Sequence, residues 1–130
     1  MATRHDSHAS YVLKALEQNK HVFVEKPLVL TQEELDAIRQ FYDESDKQPV
    51  LLTGYNRRFS PYLRKIKSLI EHRTSPLMIT YRMNAGHIPL DSWIQGEEGG
   101  GRNLGEACHI YDLFVCILHP RLISIMKAHC

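Results

Sequence analysis

The stretch that decides the fold is HVFVEKPL, residues 21–28. Its first half is β-branched and aromatic, which predicts a short strand. Its second half places an acid, a base and a proline, Glu25, Lys26 and Pro27, at the exit of that strand. Pro27 fixes its own φ and favours an extended Lys26, so the lysine is expected to point in one direction. Such a lysine can polarise a carbonyl or pass a proton, although a surface lysine paired with Glu25 is the plainer alternative.

Helices and a second strand are predicted on either side of this strand. Upstream, Asp6 or Ser7 can cap a helix. Downstream, Thr31 and Glu34 have the spacing of a capping box that opens another helix. Residues 49–55 are then predicted to form a second buried strand. The alternation of helix, strand, helix and strand is typical of parallel βαβ units, so we predict an α/β fold.

The pattern changes after residue 55. A serine followed by a proline predicts a helix start, and a stretch with period-two alternation predicts a strand. The predicted elements are a helix from Ser60-Pro61, a strand at residues 77–85, a helix at residues 104–118 that Pro120 prevents from continuing, and a further strand at residues 122–126.

Composition excludes several classes of function. The chain has 130 residues, 43% of them hydrophobic, and a net charge of +1. Without a basic stripe, no nucleic-acid partner is expected, and without an apolar run of about 18 residues, no membrane partner is expected. The three cysteines, Cys108, Cys116 and Cys130, are odd in number, so we predict reduced thiols and a cytoplasmic location.

A second stretch with chemical potential is GGGRNLGEACHIYDL, residues 99–113. Its three glycines let the backbone pass close to another group. On the helix that follows, His109 and Asp112 lie three residues apart and share a face, so the carboxylate could orient the imidazole. The alternative is a histidine at a helix start with a charged neighbour of no function.

A third stretch is GYNRRFSPY, residues 54–62. Its asparagine and two arginines, Asn56, Arg57 and Arg58, follow a strand and precede a helix. Arginines in that position suit a phosphate or carboxylate ligand, and the alternative is a solvated loop.

A metal site is the rival interpretation of the last helix. Four side chains with metal-binding atoms fall within twelve residues: Cys108, His109, Cys116 and His119. Their spacing matches no usual zinc pattern, and a reduced cysteine often serves only as a small packing residue, so no metal is expected.

Taken together, the order and spacing of these stretches, with TRHDSHA at residues 3–9, resemble one family. The chain is similar to the Gfo/Idh/MocA family of nicotinamide-dependent oxidoreductases, which act mainly on sugars, polyols and sugar nucleotides. The resemblance runs from Ala2 to about Pro120. It implies that residues 1–55 are the tail of a Rossmann-type dinucleotide-binding domain. Residues 56–130 would then be part of a substrate and oligomerisation domain with its own sheet.

The resemblance also implies roles for individual residues. Lys26 corresponds to the catalytic lysine of the family and His109 to its acid/base histidine. The residues implied on the cofactor side are Thr3, His8, Glu25, Lys26 and Pro27. The residues implied to bind substrate are Tyr55, Asn56, Arg57, Arg102 and Asn103.

Two departures from the family pattern qualify these expectations. The family places an aspartate four residues before the histidine, whereas this chain has Gly105 there, followed by Glu106, which points about 100° further round a helix. The chain also has no Gly-x-Gly-x-x-Gly turn to hold a pyrophosphate. We therefore expect a fragment of an enzyme that uses NAD or NADP, with weak or no cofactor binding of its own. The expected partners are a sugar-type substrate and further copies of the chain, and the alternative function is a non-catalytic oligomerisation module.

Overall fold

The computed structural model describes the backbone of residues 1–127 and the side chains of residues 1–118. The chain divides into two compact units: a first unit of Met1–Gly54 and His87–Cys108, and a second unit of Tyr55–Gly86 and the residues from His109 onward. The main elements, in order, are α1 (His8–Glu17), β1 (Val22–Val24), α2 (Gln32–Glu44), β2 (Leu51–Thr53), α3 (Pro61–Ile70) and α4 (Cys108–Lys127). The shorter ones are 3-10 turns at His5–Ser7, Asn56–Phe59 and Trp93–Gln95, and a π-helix at Asn103–Ala107.

The core of the first unit joins both helices to the sheet. Strands β1 and β2 pair in parallel, with Val22 opposite Leu51 and Val24 opposite Thr53. One buried cluster contains side chains from α1, β1 and α2, namely Val12, Leu16, Val22, Val24 and Ile38. Full burial of such a side chain contributes about 1.5–3 kcal/mol. The predicted α/β fold is confirmed, since a parallel strand pair is linked through a helix.

Local signals in the first unit were right in one helix and wrong in the other. At α2 the capping box is confirmed, because Thr31 Oγ1 accepts from Glu34 N–H and the Glu34 carboxylate accepts from Thr31 N–H. At α1 the predicted cap was wrong, since the Ser7 side chain does not cap the helix. A 3-10 turn precedes α1, and the Ser7 hydroxyl donates to Thr3 Oγ1 and to the Arg4 carbonyl instead.

The second strand of the first unit is present, but its predicted burial was wrong. Leu52 is 51% exposed, and Leu51 and Thr53 are only half-buried. Among the described residues β2 pairs with β1 alone, so it is an edge strand with a partly solvated face. The apolar run therefore predicted a strand correctly, but the side chains of that strand are less buried than predicted.

The second unit confirms one predicted helix and corrects the rest. Helix α3 begins at Pro61, and the Ser60 side chain accepts from Leu63 N–H as predicted. Residues 77–85 form no strand, although Leu77 and Ile79 are more covered than their neighbours. An alternating pattern predicts which side chains would be covered, but a β-strand also requires a hydrogen-bonded partner strand. Residues 77–85 pair with no strand in the described part of the chain.

The last helix continues past its predicted end. Helix α4 runs to Lys127, through Pro120, so both the predicted stop and the predicted strand at residues 122–126 were wrong. A proline within a helix removes one hydrogen bond and crowds the preceding turn, which bends a helix without always ending it. Among the described residues, no helix combines the length and the apolar character that crossing a bilayer takes.

Candidate functional site

The carboxyl end of β1 carries the candidate lysine. Met1 extends the pairing on the other side of β1, because Met1 N–H donates to the Phe23 carbonyl at 2.7 Å and Glu25 N–H donates to the Met1 carbonyl at 3.0 Å. Gly54 N–H donates to the Val24 carbonyl at 2.8 Å on the β2 side. The exit of β1 is therefore bordered by chain on both sides. Ligands of open parallel sheets bind at this end of the strands.

The ammonium of Lys26 has a main-chain partner. Lys26 Nζ donates to the Gly105 carbonyl at 2.5 Å. Gly105 is buried in the π-helix, and a Cβ added there would lie 3.3 Å from His5 Cε1. At the position where the family pattern has a carboxylate, this chain presents a carbonyl oxygen to the lysine.

His8, the first residue of α1, packs against the segment of residues 25–27 that follows β1. Its side chain is fully buried. Its Nδ1 lies 2.7 Å from the Pro27 carbonyl oxygen and its Nε2 lies 3.2 Å from the Thr3 carbonyl oxygen. Glu25 and Thr3 are exposed, Lys26 is half-buried and Pro27 is buried. The five residues predicted on the cofactor side thus lie in two short segments at one end of β1, and their contact with a cofactor stays a prediction.

The glycine-rich loop of the first unit packs against the segment before α1. His5 Nδ1 donates to the Gly99 carbonyl at 2.9 Å, and the His5 ring meets Trp93 edge-on at 5.1 Å between centroids. Arg4 pairs with Glu98 and lies over the Trp93 ring, 5.7 Å from its centroid. The loop is therefore fastened by both an aromatic and a charged contact.

The predicted close approach of the glycines is confirmed at Gly99. A Cβ added to Gly99 would lie 2.4 Å from Ile94 Cα, so only glycine fits against that backbone. The predicted substrate residues Arg102 and Asn103 follow this loop, Arg102 half-buried and Asn103 exposed.

The second unit contains the candidate histidine. His109 and Asp112 on α4 are 7% and 9% exposed, and the Tyr55 ring meets His109 edge-on at 6.2 Å. Both Asp112 oxygens accept from Arg58, one of them from Nε at 3.0 Å. That hydrogen bond raises the pKa of the Arg58 guanidinium above its ordinary value. The orientation of His109 by Asp112 stays a prediction.

The other predicted substrate residues of the second unit lie in the turn before α3. Arg57 is half-buried and its Nη1 lies 3.4 Å from the Tyr81 hydroxyl and 3.4 Å from Met83 Sδ. Asn56 is exposed. Arg57 is thus held by weak contacts that a stronger anionic ligand could replace.

Sequence reasoning missed two partners that the structure assigns. Arg58 was noted beside Arg57 but not matched with Asp112; the signal was available, because a buried carboxylate takes a charged partner. The Gly105 carbonyl left no signal at all, since every residue has one. Among the described side chains, no group of three or more His, Cys, Asp or Glu residues could hold a metal ion, and the His119 side chain lies outside that set.

A parallel βαβ arrangement, here β1, α2 and β2, is typical of the class of Rossmann-type nucleotide-binding folds. The sequence model described as "Oxidoreductase family, NAD-binding Rossmann fold" matches residues 1–54. A myo-inositol 2-dehydrogenase of Thermotoga maritima is 37% identical over 113 residues, which is 83% of this chain and 32% of the relative. An inositol 2-dehydrogenase of Rhizobium meliloti is 31% identical over 127 residues, 96% of this chain and 37% of the relative. The chain belongs to the Gfo/Idh/MocA oxidoreductase family.

A solved structure supports the same assignment. The crystal structure of an NAD-binding protein from Listeria innocua superposes with a TM-score of 0.68 at 31% identity, over 87% of this chain and 34% of the other. The chain thus spans about a third of the length of the proteins it matches.

Proposed function

We propose that this chain supplies catalytic residues to an NAD(P)-dependent dehydrogenase that oxidises a secondary hydroxyl of a sugar, a polyol such as an inositol, or a nucleotide sugar. The observation that carries the proposal is Lys26, held at the carboxyl end of β1 by a hydrogen bond to Gly105. The relatives named for inositol dehydrogenation support the substrate class.

The chemistry divides between the cofactor and the chain. Bound nicotinamide would accept the hydride that leaves the carbinol carbon. The hydroxyl proton would pass to the chain, with Lys26 polarising the oxygen and His109 accepting the proton. Arg57 and Arg102 would orient the substrate through its oxygen atoms.

The cofactor fits the described residues only in part. The segments at the exit of β1, with Thr3, Glu25, Lys26 and Pro27, would hold the nicotinamide end. No glycine turn for the pyrophosphate occurs in the sequence. Losing three or four charge-assisted hydrogen bonds of ~1.5–3 kcal/mol each would weaken a micromolar site by several powers of ten. Calorimetric titration of the chain with NAD and NADP is expected to show no saturation below millimolar ligand. Low-micromolar binding would contradict the weak-binding expectation.

A chimaera tests the catalytic proposal. The 130 residues would replace the matching third of the Thermotoga maritima myo-inositol 2-dehydrogenase, and NADH formation would be followed by absorbance. Lys26→Met is expected to lower kcat by about 10²–10⁴-fold, the usual contribution of a positioned acid or base. Lys20→Met is the control, since Lys20 is exposed after α1. Equal rates for the two variants, in a chimaera that binds NAD, would refute the role of Lys26.

A second function, association without catalysis, is favoured by one observation. In the second unit Met78, Tyr62 and Leu69 are 89%, 81% and 71% exposed. Large apolar side chains left in water favour pairing between chains. Sedimentation would show mass rising with concentration if the chain is such a module, and saturable cofactor binding would favour the enzyme.

A further inference from the structure

We propose that His8 is a positioning residue for Lys26, acting through the carbonyl of Pro27; the inference rests on the proposed function of Lys26. The two residues are eighteen positions apart in the chain, and the hydrogen bonds described for each of their side chains go to main-chain carbonyls of other residues. The link runs through the main chain of residues 25–27.

The first step concerns the ring of His8. A fully buried imidazole is costly unless its polar atoms are bonded, and here each nitrogen lies within hydrogen-bond distance of a carbonyl oxygen. A carbonyl oxygen can only accept, so the 2.7 Å contact between Nδ1 and the Pro27 oxygen is a hydrogen bond when Nδ1 holds the proton. His8 therefore donates to Pro27, and Nε2 lies at 3.2 Å from the Thr3 oxygen.

The second step concerns the backbone of Lys26. On its N-terminal side, Glu25 N–H is bonded to the Met1 carbonyl. On its C-terminal side, Pro27 has no N–H, so the carbonyl that His8 binds is the one main-chain group by which that residue can be held. Lys26 thus lies between two main-chain hydrogen bonds.

The third step concerns the ammonium. A lysine side chain has many accessible rotamers, so an unanchored Nζ would sample many positions. In this chain Nζ is bonded to the Gly105 oxygen. The His8 ring is 5.9 Å from that of His5, and His5 Cε1 is next to Gly105. His8 thus contacts Pro27, which follows Lys26 in the chain, and His5 lies beside Gly105, whose oxygen accepts from Lys26 Nζ.

The test compares two variants of the 130-residue chain. His8→Asn keeps an N–H donor in the place of Nδ1, facing the Pro27 oxygen, whereas His8→Leu has a comparable side chain with no donor. Brief acetylation followed by mass spectrometry measures the reactivity of each lysine. His8→Leu is expected to raise the labelling rate of Lys26 about five-fold, the change that corresponds to one ordinary hydrogen bond. His8→Asn should stay close to the wild type, and the labelling rate of the exposed Lys20 should not change in either variant. Circular dichroism checks that each variant is folded before it is labelled.

A spectroscopic measurement on the wild type is independent of whether the variants fold. The ¹⁵N shifts of the His8 ring are expected to show a protonated Nδ1. A neutral ring protonated at Nε2 alone would overturn the inference, because Nδ1 could not donate to Pro27. An unchanged Lys26 labelling rate in folded His8→Leu would overturn it as well. Should His8→Leu not fold, His8→Met takes its place, since its side chain also has no hydrogen-bond donor.

These outcomes are separable from those of the chimaera. Faster labelling in His8→Leu together with an inactive chimaera would support the positioning of Lys26 and refute the dehydrogenase proposal. Unchanged labelling together with an active chimaera would leave the dehydrogenase standing and refute the role of His8.

Discussion

Lys26 in the first unit is bonded to a main-chain oxygen, whereas Asp112 in the second unit is held by a charged side chain. The Gly105 carbonyl that receives Lys26 is neutral, and no ordinary substitution deletes it. The Asp112 carboxylate depends on the guanidinium of Arg58, which a single substitution removes. The comparison indicates that the charge of Asp112 is supported by one charged side chain, whereas the charge of Lys26 is supported by a main-chain oxygen.

The largest effect should follow from breaking the support of the second unit. Arg58→Met leaves the Asp112 side chain, which is 7% exposed, without its cation. We expect a loss of about 3 kcal/mol in the free energy of unfolding, because an unpaired buried charge is costly. Arg57→Met is the matched control and should lose less than about 1 kcal/mol, as its contacts are longer and neutral. Urea unfolding measures both, and equal losses would remove the contrast between the two units.

A smaller loss of stability should follow from a steric clash with the backbone of the first unit. Gly99→Ala places a Cβ 2.4 Å from Ile94 Cα, and a main-chain neighbour cannot rotate away. We expect a loss of about 2 kcal/mol, in the range for an overpacked interior. Gly96→Ala is the control, since its Cβ would meet nothing closer than 3.7 Å. Thermal unfolding of the pair decides, and a Gly99→Ala protein as stable as Gly96→Ala would show that the loop can shift.

The smallest effect concerns a second bond from a side chain to a main-chain oxygen in the first unit. The Tyr42 hydroxyl donates to the Pro49 carbonyl at 2.7 Å, so Tyr42→Phe should cost about 1 kcal/mol at neutral pH. Burial raises the pKa of Tyr42.

The pH dependence of this variant has a definite sign. Because the folded pKa lies above the unfolded value of about 10, the contribution of Tyr42 is complete below pH 10 and is lost as the pH rises through the folded value. The advantage of the wild type over Tyr42→Phe should therefore shrink above pH 10. Urea unfolding of both proteins between pH 7 and pH 11 (a range set by about 10 for tyrosine) checks this, and a constant difference would contradict it.

Elements with local signals could be predicted from the sequence. The β-branched run predicted β1, the Thr31–Glu34 spacing predicted the start of α2, and Ser60-Pro61 predicted the start of α3. Each signal acts within a few residues, so neighbours in the chain contain all the information that decides it.

Features that depend on distant partners could not be predicted. The alternation at residues 77–85 is consistent with a strand, but pairing depends on a neighbour elsewhere in the chain. The partner of Lys26 is 79 positions away, and that of Asp112 is 54 positions away. The assignment of Lys26 and His109 came from the resemblance, and their catalytic roles stay predictions.

The hydrogen bond between Lys26 and Gly105 has a consequence for how the sequence can vary. Any residue at position 105 would bring the same carbonyl, so the identity of that residue is constrained by the space beside His5 and not by the bond itself. Substitutions at positions 5 and 105 should therefore be correlated: a residue with a side chain fits at position 105 once position 5 holds a residue smaller than histidine. Among diverging sequences the mark of this lysine contact would be a correlated pair of substitutions at two positions, neither of which is the lysine.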